Sequence, residues 1–157
     1  MKEKGNEVIL FATRQKETKN NIWLDYFPKY YELGEVKFGL DKIRALLNIF
    51  YNFEAVRKLE KLIKNEKPDI AHVHNIYHHF SPAILGVLKK YKIPIIMTVH
   101  DYKLICPNYS LFNKGKICQK CKGEKFYNCV KSKCIKKSFL ASLIIATEVY
   151  WTKFKKY

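Results

Sequence analysis

The stretch Lys67–Asp101 constrains this chain most: two short apolar runs, Ile70–Val73 and Ile95–Val99, flank a helical segment, and each run leads into histidine where the loop begins. Between them Ser81–Lys90 (SPAILGVLKK) predicts one helix, with Ser81 as its N-cap and Pro82 at the first helical position. Strand, helix and strand in that order, with apolar strands, predict a parallel sheet buried on both faces. Open sheets of this kind bind ligands beyond the carboxyl ends of their strands. His74, Asn75, His100 and Asp101 all stand there, which marks this region as the working edge.

The remainder of the chain is read around that unit. Val8–Thr13 (VILFAT) predicts a first strand, entered from Gly5-Asn6-Glu7. An α/β domain does not usually begin there, so a strand and a helix are expected upstream. Arg14–Lys29 reads as polar loop and Tyr30–Val36 as a short strand. Leu40–Lys64 predicts a long structural helix with one apolar stripe of Leu40, Ile43, Leu47 and Phe50. A second stripe, Val56, Leu59, Leu62 and Ile63, is offset from the first near Asn52–Glu54. The alternation predicts an α/β fold with an open, doubly wound parallel sheet over residues 7–101. Residues 102–137 carry no convincing period and five cysteines; Ser138 then caps a helix over Phe139–Lys156. One domain spans residues 1–157, and it contains no glycine-rich phosphate loop.

Charge narrows the partners. Thirty Lys and Arg against 14 Asp and Glu give a net charge of +16, which suits a nucleotide diphosphate, an anionic membrane surface or nucleic acid. Half of that excess lies in Lys114–Lys137, where nine lysines face one acid, Glu124. The bland alternative is a compositional bias toward lysine with no functional cause. With 48% hydrophobic residues, the chain is expected to fold. A charged start without an apolar leader, and no run of 18 apolar residues, make the cytoplasm the expected compartment.

In a reducing compartment the cysteines read as thiols or metal ligands. Cys118 and Cys121 form a CxxC half-site, and Cys129 with Cys134 supplies a second pair. Together they predict a structural zinc site, closed by four thiolates and therefore bracing rather than catalytic. Cys106 is an alternative ligand. Disulfides, unligated thiols and an iron–sulfur or redox role are the other readings. Among the histidines, His72 and His74 fall on one face of a strand, but carboxylates are scarce nearby and a metal there is not expected. His78 and His79 read as exposed. His74 reads as a polar contact to ligand or a loop-ordering group. His100 ends an apolar strand and precedes Asp101, so it could donate to a phosphate or sugar hydroxyl or move a proton.

These residues carry a family resemblance. KPDIAHVHN, then IPIIMTVHDYKLICPN about twenty residues later, then the CxxC loop, resemble the N-terminal domain of family 4 glycosyltransferases. The resemblance runs from the GNEV turn to the final helix. It implies half of a GT-B fold, with Rossmann-like topology, and retaining transfer from a nucleotide-sugar to a polysaccharide or lipid-linked acceptor. It implies His100 as the catalytic residue near the donor sugar, and His74, Asn75 and Asp101 on the substrate side of the cleft. It also implies that the first strand with its glycine-rich loop, and the donor-binding domain, lie outside this chain. The chain is then a fragment, a split gene product or the product of a degraded reading frame, expected to be inactive alone, with a separate chain as one source of the donor domain. A basic, zinc-braced nucleic-acid-binding module is the alternative. An interfacial role for the last helix at a membrane is compatible with the transferase reading.

Overall fold

The computed structural model describes residues 4–15, 18, 21–31, 39–77 and 79–156. The chain divides into two compact units, Met1–Met97 and Thr98–Tyr157.

In the first unit, the expected long helix is two helices, α1 (Leu40–Phe50) and α2 (Phe53–Glu66). The break falls where the two stripes change phase. Asn52 takes an extended conformation and its side-chain oxygen caps α2 by accepting from the Ala55 N–H at 3.0 Å. The α2 stripe is buried as expected at Leu59, Leu62 and Ile63. The α1 stripe is not: Leu40, Ile43 and Leu47 are exposed, and Ala45 and Ile49 face the core instead. Lys67, with φ of 46°, ends α2 in a left-handed cap and donates its N–H to the Ile63 carbonyl.

Strand β1 (Ala71–His74) and strand β2 (Ile95–Thr98) lie side by side in a two-stranded parallel sheet, joined through α3 (Ala83–Lys90). The Ala71 N–H donates to the Pro94 carbonyl at the start of the pair. The α/β class holds. The expected burial on both faces does not, since Val73 is buried but His72, Ile96 and Val99 are exposed. A cause is visible upstream. Val8–Thr13 joins no ladder and the nearest pairing is an isolated parallel bridge, Arg14 to Lys29. Among the described residues there is therefore no third strand beside these two, and no doubly wound sheet. Most of the expected strand Tyr30–Val36 lies outside the described residues, as does His78.

Helix α3 starts at Ala83, and Ser81 does not cap it. Ser81 sits at φ of 56°, fully buried, and its hydroxyl accepts the Asn52 backbone N–H at 3.1 Å. Asn52 also donates its side-chain amide to the His79 carbonyl at 2.7 Å. One buried asparagine thus holds the α1–α2 break against the approach to α3. Asn52→Ala removes the cap and leaves the half-buried His79 carbonyl without its donor, and is expected to destabilise the chain by about 2 kcal/mol in urea titration. Farther along, Glu60 accepts from Lys90 Nζ at 2.7 Å and from the Tyr91 hydroxyl at 2.8 Å. These bonds, Lys90 first, hold the Glu60 carboxyl below its ordinary value. The tie favours folding above the ordinary carboxylate range and is lost as the pH falls through it.

In the second unit, residues 102–137 hold more order than the sequence suggests. Strands β3 (Phe112–Asn113) and β4 (Lys116–Ile117) form an antiparallel hairpin around Lys114-Gly115, both with positive φ. Helix α4 (Tyr127–Lys131) follows, packed on α5 (Phe139–Phe154). Ser138 caps α5 as expected, its hydroxyl accepting from the Ala141 N–H. The core between α4 and α5 is small: Cys121, Phe126, Cys129, Ala146 and Val149. Among the described residues no helix is long and apolar enough to cross a membrane.

Candidate functional site

His74 is the last residue of β1 and is exposed. Two-residue periodicity places it beside His72, with ring centroids 4.2 Å apart, so the shared face read from the sequence is realised. Asn75 follows at φ of 43°, a left-handed conformation that asparagine tolerates better than most residues, and it too is exposed. The chain thus turns sharply at the carboxyl end of β1 and leaves two polar side chains on the surface. His79 is half-buried, against expectation, because its ring stacks on Tyr30 at 5.0 Å.

His100 lies two residues beyond β2, in the second unit, and is exposed. Its neighbour Asp101 is half-buried, and its carboxylate accepts the Lys103 backbone N–H at 2.8 Å. That bond closes a turn of the kind aspartate makes two residues ahead of itself. Asp101 therefore shapes the backbone that presents His100. The turn continues in main-chain bonds: Cys106 N–H donates to the Tyr102 carbonyl at 2.8 Å, and Tyr109 N–H to the Cys106 carbonyl at 2.7 Å.

A pair not singled out in the sequence anchors this turn. Lys103 Nζ lies 2.7 Å from Glu148 Oε2 of α5, and the two side chains are only 3% and 2% exposed. The distance is that of a close ion pair, while the angles are not those of a hydrogen bond, so the attraction is Coulombic. A signal was present: Glu148 is the only charged residue within Phe139–Thr152. A charge in so apolar a helix is retained where a partner meets it.

The structure does not show the expected zinc centre. Among the described residues, no group of three or more His, Cys, Asp or Glu side chains is placed to hold a metal ion. All five thiols are free, and Cys121 and Cys129 instead serve as core residues between α4 and α5. Burial, with the neighbouring thiols adding to it, pushes Cys121 up to about 11 and Cys129 up to about 12. Cys134 is raised as well, chiefly by burial. Buried thiols of this kind pack as small hydrophobes. The CxxC spacing marks a zinc half-site in the sequence, but spacing alone does not fix a ligand set.

Comparison with known proteins follows the same residues. The model of Glycosyltransferase Family 4 matches residues 1–118, which include His74, Asn75, His100 and Asp101. A protein of Klebsiella pneumoniae described as an uncharacterized 42.6 kDa protein in cps region is 36% identical over 122 residues. The match covers 72% of this chain and 32% of that relative. The chain therefore spans about a third of the length of the curated relative it matches. No solved structure matches it. With the family's model matched over most of its length, the chain belongs to glycosyltransferase family 4.

Proposed function

We propose that this chain supplies the acceptor side of a retaining glycosyltransferase that moves a sugar from a nucleotide-sugar to a polysaccharide or lipid-linked acceptor. The family match over residues 1–118 carries the reading, because all four polar residues at the strand ends fall within it. The relative's place in a cps (capsule) region supports a polysaccharide product. In the reaction the bond from the sugar's anomeric carbon to the phosphate oxygen breaks and the nucleotide diphosphate leaves with the electron pair. The acceptor oxygen bonds to that carbon and passes its proton to the leaving phosphate oxygen. His100 serves this step by donating to an oxygen of the leaving phosphate as negative charge develops there, the kind of aimed donor that lowers such barriers. His74 and Asn75 hold acceptor hydroxyls, and Asp101 fixes the His100 turn. Neutralising the leaving diphosphate falls to a donor-binding domain outside residues 1–157, on the same or a separate chain, so these residues alone do not transfer. The working place is the cytoplasmic face of an anionic membrane, which the net charge of +16 suits. The test is transfer of radiolabelled hexose from UDP-, GDP- and dTDP-hexoses to alkyl glycosides, with the donor domain supplied. Proton NMR of the product then reads the anomer. Retention is expected; inversion, or no product with any donor, contradicts the reading.

A structural zinc held by Cys118, Cys121, Cys129 and Cys134, with Cys106 as the alternate, is the finer reading of the loop. The CxxC spacing supports it, as does the closeness of these thiols, with Cys129 and Cys134 hydrogen-bonded to one another. Protein purified without chelator is expected to carry one zinc per chain by elemental analysis, and Cys118→Ser/Cys121→Ser is expected to carry none. A wild-type chain free of zinc rejects the site.

A further inference from the structure

The second unit contains a hollow that the transfer chemistry above does not use. It measures about 470 Å³, within the range of roughly 300–1,000 Å³ found for small-molecule sites. Leu104, Ile105 and Leu111 line it, and Phe126, itself 1% exposed, lines it from the core of the unit. Its charged wall carries Lys122 and, from α5, Lys153, the latter paired with Glu124 at 2.6 Å.

The lining decides the ligand class. A saccharide needs several polar partners for its hydroxyls, and this wall is mainly hydrocarbon. A neutral hydrocarbon would leave the lysines unused. An apolar chain ending in an anion satisfies both, with the chain against the leucines and the anion on Lys153. The sign of the surroundings agrees: residues 98–157 contain thirteen lysines and three acids. Of those acids, Glu148 is committed to Lys103 and Glu124 to Lys153. Both members of the Lys153–Glu124 pair are partly exposed, at 39% and 61%, so the bond is one that an incoming anion can replace.

We propose that this hollow binds the chain of a single-chain lipid phosphate, with the phosphate replacing Glu124 on Lys153. The inference rests on the lipid-linked form of the acceptor reading and gives that acceptor's tail a place. Glu124 is then a competitor for the ligand's site, which makes the expected sign of its substitution unusual: removing its charge tightens binding.

Isothermal titration of the 157-residue chain with farnesyl phosphate, below its micellar concentration and without any sugar donor, tests this. Saturation at one per chain is expected, with farnesol about tenfold weaker and inorganic phosphate not saturating. Lys153→Gln is expected to weaken farnesyl phosphate about tenfold and Glu124→Gln to tighten it about threefold. Leu104→Asp, a change at an exposed residue, is expected to abolish saturation while leaving the circular dichroism spectrum unchanged. The proposal is overturned if farnesol binds as well as its phosphate, or if Leu104→Asp binds normally. Binding only to phosphatidylglycerol vesicles also overturns it and makes this a membrane surface, not a chain site. Because no donor is present, binding that persists alongside a failed transfer assay removes only the acceptor role.

Discussion

Glu148→Gln is expected to destabilise the second unit by about 3–5 kcal/mol, the usual cost of leaving one member of a buried ion pair without its partner. Lys103 and Glu148 are almost wholly shielded from water. A neutral amide at position 148 leaves the Lys103 ammonium without water or countercharge. Lys103→Met is expected to do similar damage from the other side, by stranding the carboxylate. The double variant Lys103→Met/Glu148→Leu is expected to recover most of the loss, because well-packed apolar replacements of buried pairs are often neutral or better. Urea denaturation followed by circular dichroism measures all three. If the single variants lose under about 1 kcal/mol, as exposed pairs do, the pair is not shielded in solution. The consequence reaches the site, since Lys103 also closes the Asp101 turn beside His100.

His100→Ala is expected to lower transfer by about 10²–10³-fold in the complemented enzyme, the usual loss when a donor aimed at developing charge is removed. Stability should hardly change, within about 0.5 kcal/mol, because the side chain is exposed. That contrast separates His100 from its neighbour Asp101. Asp101→Ala is expected to reduce both activity and the order of the turn, since its carboxylate holds the Lys103 N–H. If His100→Ala transfers as well as wild type, His100 is an ordinary residue beyond the strand end.

The elements that the sequence revealed are those whose signals are local. The α2 stripe, the β1–α3–β2 order, the Ser138 cap and the common face of His72 and His74 all depend on residues within a few positions of one another. The errors share a different cause. Ser81 carries a good capping side chain, yet its hydroxyl is taken by Asn52, 29 residues earlier in the chain. The α1 stripe has helical spacing but faces solvent, because spacing gives the period of a face and not what covers it. VILFAT has the composition of a strand, but a strand exists only where a partner forms a ladder with it. The hairpin at Phe112–Ile117 was hidden because its left-handed turn residues are Lys114 and Gly115, not the Asn-Gly pair that announces such turns. The positions of His74, Asn75 and His100 at or just beyond strand ends were legible in the sequence. The Lys103–Glu148 anchor was not, because its members lie 45 residues apart in sequence.

The central claim is that these 157 residues form the acceptor side of a transferase and need a donor-binding domain to act. The most direct measurement compares sugar transfer from a panel of nucleotide-sugars by this chain alone and after addition of a polypeptide carrying such a domain. The expected result is no transfer by the chain alone, and transfer in the mixture that falls when His100→Ala replaces the wild-type chain. Turnover by the chain alone would contradict the division of labour. A mixture that binds nucleotide-sugar yet transfers nothing to any acceptor would contradict the transferase function itself.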